Sequence, residues 1–230
     1  MKTPPLAALT VARAVRRRLQ TERAFGRQGW PRRKRPAITT ASSKVERMAL
    51  VAQEAAACQR CPLHRTRTHV VVGEGSLEAR LVFVGEAPGH DEDQQGRPFV
   101  GRAGQLLTKM IAAMGLAREH VYIANVLKDR PPGNRTPLPE EMAACLPLLT
   151  AQLEIIQPRV ICALGAVAAR ALLSTEASLG SLRGRFHQYR GIPVMPTYHP
   201  AYLLRNPDAK RVVWEDLKHV RDLLSTTHPA

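Results

Sequence analysis

The sequence predicts an α/β fold, a parallel sheet covered by helices on both faces, and three observations carry that reading. Four short apolar runs, 81–84, 121–126, 160–164 and 192–196, are rich in Val, Ile and Leu, the composition of strands buried on both sides. Helical patterns at 103–114, 139–157 and 166–173 separate them, and strand–helix alternation implies parallel neighbours. Polar, glycine-bearing segments follow the strand ends, so chemistry gathers on one edge of such a sheet.

Taken in order, residues 1–43 read as a disordered basic appendage. They hold eleven Lys/Arg against one acidic residue, Glu22, a net of +10 within a total of +15. Arg16-Arg17-Arg18 and Arg32-Arg33-Lys34-Arg35 are charge runs, and Pro31, Pro36 and Thr39 to Ser43 read as linker. A globular domain then spans 44–226. Ser43 is placed to cap a helix whose apolar face is Val45, Met48, Val51, Ala52 and Ala55, and this helix delivers Cys58 and Cys61. Val70–Val72 reads as a short strand ending at Gly73-Glu74-Gly75. Strand 81–84 leads into a loop, Gly85 to Asp93, and strand 121–126 leads to Lys128-Asp129-Arg130-Pro131-Pro132-Gly133-Asn134. Strand 160–164 ends at Gly165. Strand 192–196 leads to a loop carrying His199, and a helix over 207–224 closes the domain, with Val213, Leu217, Val220 and Leu224 on one face.

Composition bounds the class. A chain of 230 residues with 44% hydrophobic residues builds one real core, and no apolar stretch is long enough to span a bilayer. The excess of positive charge points to an anionic partner, most simply nucleic acid. The weak apolar start around Leu6–Leu9 is broken by Thr10 and arginines, so secretion is rejected. A cytoplasmic, nucleoid-associated monomer is expected.

Several residues carry chemistry. Gly85 and Gly89 permit close backbone approach to a ligand, and Glu86, Glu92 and Asp93 supply carboxylates. The segment is neither a Walker loop nor a dinucleotide loop. Phe99 lies between Gly96 and Gly101, which suits a ring presented to a flat ligand; base stacking contributes roughly 1–3 kcal/mol. Asn125 ends a strand on the site edge and offers both donor and acceptor to a nucleobase edge. His199, before Pro200, is placed to donate to a developing oxyanion. Cys58-x-x-Cys61 has metal-type spacing, Cys145 lies on the 139–157 helix, and Cys162 reads as a small core residue inside its strand.

Together and in this order these segments resemble the family 4 uracil-DNA glycosylases, the thermostable iron–sulfur type. The matching stretches are Cys58 to Leu63, Gly85 to Asp93, Gly96 to Gly101, Arg130 to Pro137 and Tyr198 to Pro207, and coverage runs from about residue 45 to 224. The resemblance implies a three-layer α/β/α sandwich with a central parallel four-stranded sheet. It implies uracil-containing DNA, single- or double-stranded, as substrate, no membrane, and hydrolysis of the N-glycosidic bond. By it, Glu86 and Glu92 are the acidic pocket residues, with Glu92 near C5 of the base, and Gly85 lines the substrate site. Phe99 stacks on uracil, Asn125 reads its polar edge, Asn134 lies at the DNA entrance, and His199 bonds the base carbonyl. Pro200 to Arg205 pushes into the duplex.

One departure matters. Asp129 stands where the family's third cluster cysteine falls, leaving Cys58, Cys61 and Cys145 as thiolates. A carboxylate is a harder ligand than a thiolate. A 4Fe-4S cluster with one oxygen ligand, a 3Fe-4S cluster and loss of the cluster are the three outcomes. The rival readings are a relative that traps uracil-DNA covalently, which carries an inserted basic loop, and a non-catalytic DNA-binding or redox module.

Overall fold

The computed structural model describes residues 43–226; the expected basic appendage lies outside them. The first helix, α1 (Lys44–Ala56), starts as its sequence dictates. Ser43 Oγ accepts from the Glu46 N–H at 3.2 Å, and Glu46 Oε2 accepts from the Ser43 N–H at 2.8 Å, a reciprocal capping box. Val51 and Ala55 are buried, but Val45 is 68% exposed, because the inward stripe begins only at the second turn.

The sheet has six strands rather than four: β1 (Glu74–Gly75), β2 (Leu81–Gly85), β3 (Tyr122–Asn125), β4 (Val160–Leu164), β5 (His187–Tyr189) and β6 (Ile192–Thr197). Their order is β1-β3-β2-β4-β6-β5. The expected parallel four form its centre, and the two short outer strands are antiparallel. Val70–Val72 is not a strand. Val71 makes a single bridge, to the Lys128 carbonyl, and the ladder begins only after Gly73 turns the chain at φ +143°.

Side-chain alternation builds two cores. Val82 and Val84 point towards α1, α4 (Pro139–Ile156) and α5 (Ala166–Leu173). Leu81, Phe83 and Cys162 point towards α3 (Arg102–Ala113) and α8 (Ala209–Ser225). This is the three-layer sandwich. Two short helices went unforeseen, α2 (His90–Gln95) and α7 (Pro200–Arg205), and α6 (Leu179–Leu182) is a single turn. From β2 the chain moves to β3 on one side, then returns through α4 to β4 on the other. The strand order therefore reverses at β2 and β4, where an open α/β sheet leaves a crevice beyond its carboxyl ends.

Candidate active site

A cleft of about 690 Å³ lies at that edge. Its floor is set by register. Gly85 of β2 is level with Asn125 of β3, and a Cβ on Gly85 would stand 2.3 Å from Asn125 Oδ1 and 2.5 Å from Phe99 Cζ. Only a hydrogen fits between the amide and the ring. Asn125 is buried and its Oδ1 has no hydrogen-bond partner, although buried polar atoms are nearly always paired. The Asn125 amide oxygen is therefore free to accept a hydrogen bond from a group that enters the cleft.

Phe99 is 6% exposed and has φ +52°, a left-handed conformation that a bulky residue adopts only when its surroundings force it. Those surroundings are specific. Gly104 lies so close beneath that a Cβ would sit 1.9 Å from the Phe99 carbonyl oxygen. Glu92 Oε1 accepts from the N–H groups of Val100 at 2.9 Å and Gly101 at 3.0 Å, while its Oε2 accepts from Gly89 at 3.1 Å. Glu92 thus borders the cleft with its carboxylate committed to backbone amides.

Glu86 differs. It is half-buried in the cleft wall, and among the described residues its carboxylate has neither hydrogen bond nor ion pair. Burial alone raises its pKa above the ordinary carboxylate range. Asp93 is turned away and buried, accepting from the Thr68 N–H at 2.8 Å.

His199 faces Phe99 with ring centroids 5.5 Å apart. Its Nδ1 accepts the Ala201 N–H at 3.1 Å, the first turn of α7, so in the neutral ring the proton sits on Nε2. Burial, and then the charge of Arg205, pulls its pKa down to about 4. Gly165 is part of this geometry: at φ +94°, its Cβ would stand 3.2 Å from His199 Cβ.

At the rim, Asn134 Oδ1 accepts from Arg130 Nε at 2.7 Å, and Arg205, Tyr202 and Leu204 of α7 border the opening. Tyr202 and Leu204 are large side chains left exposed, at 37% and 45%. All the candidate catalytic and substrate-binding residues therefore meet at one cleft, with Gly85 beneath it. Gly165 escaped sequence reasoning, although a glycine at a strand-to-helix turn was the available signal. Lys128 escaped too. It is a fully buried ammonium whose Nζ donates to the Asn125 carbonyl at 2.8 Å and to Gln152 Oε1 at 2.6 Å. Burial draws its pKa down to about 8.

Cys58, Cys61, Cys145 and Asp129 line, with Lys128, a second, small cavity of about 10 Å³. Cys58 Sγ accepts from Arg60 Nε at 3.3 Å and Cys145 Sγ from the Lys128 N–H at 3.1 Å. Burial pushes Cys145 up to about 11 and Cys61 above its ordinary value. Among the described residues no three His, Cys, Asp or Glu side chains form a site for a single metal ion. The donor set suits an iron–sulfur cluster in its three thiols and not in its fourth member. Both Asp129 oxygens lie 3.0 Å from Arg67 Nη1, which also donates to the Cys58 carbonyl at 3.4 Å. Cys162 is wholly buried in the sheet and belongs to the core.

A profile described as the uracil DNA glycosylase superfamily matches residues 72–218. The chain is 50% identical over 186 residues to the type-4 uracil-DNA glycosylase of Thermotoga maritima, covering 79% of this chain and 97% of that protein. Its identity to the type-4 enzyme of Archaeoglobus fulgidus is 42% over 187 residues, 78% and 94% of the two chains. A type-5 uracil-DNA glycosylase from Pyrobaculum aerophilum is more distant, at 34% over 163 residues, 64% and 71% of the two. The profile match and the likeness along 97% and 94% of the two type-4 enzymes place the chain: it belongs to the uracil DNA glycosylase superfamily, in its type-4 branch.

Proposed function

We propose that this protein excises uracil from DNA by hydrolysing the N-glycosidic bond, leaving an abasic site. The observation that carries the reading is the unpaired Asn125 Oδ1 on the floor of a cleft that also holds Phe99, Glu86 and His199. A base cannot react inside the duplex, so it must first leave the stack, at a few kcal/mol. Tyr202, Leu204 and Arg205 on the rim are the groups to occupy the space it leaves. Phe99 stacks on the extruded ring, and Asn125 pairs with its polar edge. The narrow gap at Gly85 keeps these two at fixed separation.

Breaking the C1′–N1 bond makes the sugar positive and the departing uracil negative. His199 serves as a neutral donor through Nε2–H. The Ala201 N–H holds the tautomer, and a pKa of about 4 keeps the ring uncharged at neutral pH. A fixed dipole aimed at developing charge needs no reorganisation, and one such donor is worth about 10²–10³ in rate. Of the two carboxylates, Glu86 is the one free to stabilise the cation or orient water. Glu92 holds the backbone that presents Phe99. Residues 134–138 run directly into α4, with no inserted loop of the kind a covalent trap carries.

Cys58, Cys61 and Cys145 are the residues to hold an iron–sulfur cluster, and Asp129 is engaged by Arg67. Bound there, a cluster would cross-link the segment after α1 to α4. Iron bound by anaerobically purified protein, rising towards four per chain in Asp129→Cys, is the expected result; iron-free protein in both forms counts against the cluster.

The substrate is expected to be uracil in single- or double-stranded DNA, in a reducing compartment consistent with four free cysteines. The test is incubation with both kinds of uracil-containing oligonucleotide, followed by alkaline cleavage. Strand scission by the wild type that falls about 10²-fold or more in His199→Ala supports the assignment. Scission equal in the wild type and the variant overturns the role given to His199, and none in the wild type overturns the activity.

A further inference from the structure

The residue that reads the base edge is held from behind the cleft wall. We propose that Lys128 is a positioning residue for uracil excision: its buried ammonium grips the main-chain carbonyl of Asn125 and thereby fixes where the Asn125 amide stands. The inference rests on the uracil-excision reading and assigns that site a part it lacked.

Three observations carry it. The first is the cost of the arrangement. Lysine is almost never fully buried, yet Lys128 is 1% exposed, and no carboxylate is among its hydrogen-bond partners. An ammonium placed so expensively answers a demand from its neighbours. The second is where its hydrogens go. Nζ donates to Asn125 O at 2.8 Å, three residues back along the chain, and to Gln152 Oε1 at 2.6 Å. Gln152 is itself anchored. Its Nε2 donates to the Val72 carbonyl at 2.9 Å and to Tyr122 Oη at 3.0 Å. Tyr122 belongs to the same strand as Asn125, so the network ties both ends of β3 to α4.

The third observation is what Asn125 lacks. Its side-chain oxygen is buried with no partner, so nothing on the cleft side holds the amide before a base arrives. β3 ends at this residue, and the parallel ladder with β2 ends at the same level. Main-chain bonds between the two segments run on past it, from the Val126 N–H to the Gly85 carbonyl and from the Leu127 N–H to the Glu86 carbonyl, each at 3.0 Å, while the Asn125 carbonyl takes a donor from outside the sheet, the Lys128 ammonium. The main chain of Lys128 is fixed in turn, its N–H donating to Cys145 Sγ at 3.1 Å and its carbonyl accepting from Val71. A precise amide matters because a misplacement of about 1 Å in a positioned group can cost about 10²-fold in rate.

A double-mutant cycle tests this, with single-turnover excision of uracil from an oligonucleotide as the readout. Lys128→Met keeps the length and removes the donor. Acting through Asn125, it lowers the excision rate constant about tenfold in the wild-type background and less than about twofold in Asn125→Ala, where there is no amide left to position. Lys128→Gln keeps a neutral donor and restores part of the loss. A purely structural lysine costs the same factor in both backgrounds, and that result overturns the proposal. Should Lys128→Met fail to fold, Lys128→Gln in the two backgrounds gives the same comparison at smaller amplitude. Wild-type protein that excises nothing would instead sink the activity itself, and the two failures are distinct.

Discussion

Glu86 and Glu92 are six residues apart and chemically identical, and their neighbours alone separate them. Glu92 is surrounded by backbone N–H groups that reward its negative charge, whereas Glu86 loses water and gains no partner. A carboxyl whose pKa is raised on folding destabilises the native state at every pH above that raised value. Below the unfolded value the penalty is gone. Glu86→Gln should therefore raise the thermal midpoint at neutral pH, and the gain should vanish below about pH 4. The same substitution should lower uracil excision by about 10²-fold. Wild-type excision should fall as pH drops through the raised Glu86 value. The residual activity of Glu86→Gln should stay flat until His199 titrates near 4. Thermal melts and single-turnover rates between pH 4 and 8 check both signs; a variant less stable at pH 7 would show that the carboxylate has a partner.

At the scale of elements, the four central strands are legible because each is a short, mainly apolar run, the pattern that burial on both faces demands, although Asn125 ends one and Pro193 and Pro196 interrupt another. The outer strands were not, since β1 has two residues and β5 three, too few for any period. The two short helices beside the cleft are not visible in the sequence, because each is six residues long and opens at a glycine or a proline that signals a turn. Gly89 is in fact the N-cap of α2 and Pro200 the first residue of α7, positions where those residues open helices. Of the site, the residues that touch the cleft were legible as motifs. Gly165, Lys128 and the Arg67–Asp129 pair were not, because each acts on a residue distant in sequence or through a buried bond that no local pattern announces. Gly85 joins the two scales: it ends β2, and it is the spacer between ring and amide. Gly85→Ala should push one of them aside, lowering uracil excision at least about tenfold while overpacking costs about 1–3 kcal/mol of stability. Excision rates beside chemical denaturation separate the two effects, and full activity in this variant would remove the tight slot from the account.

Across the whole molecule, charge is divided from chemistry. Residues 1–43 carry a net of +10, leaving +5 for the rest of the chain. On the domain, Arg102, Arg135 and Arg205 border the cleft, but Arg135 is forked onto Glu141 at 2.9 and 2.6 Å. Phosphate contacts set affinity and its salt dependence, each neutralised phosphate adding about 0.9 to the slope of log K against log salt on duplex DNA. They do little for a bond already positioned in the cleft. A chain beginning at Ser43 keeps the α1 cap and every cleft residue while losing all eleven N-terminal cations. It should bind uracil-containing duplex more weakly, with a shallower salt slope. Once saturated with DNA it should excise uracil at the full-length rate, because the cleft residues, and Lys128 behind Asn125, all lie in the retained domain. Binding isotherms at several salt concentrations, paired with single-turnover rates at saturating protein, measure the two quantities separately. An unchanged slope would mean that the basic segment does not touch the phosphates. A slower rate at saturation would give the basic segment a part in the excision step as well.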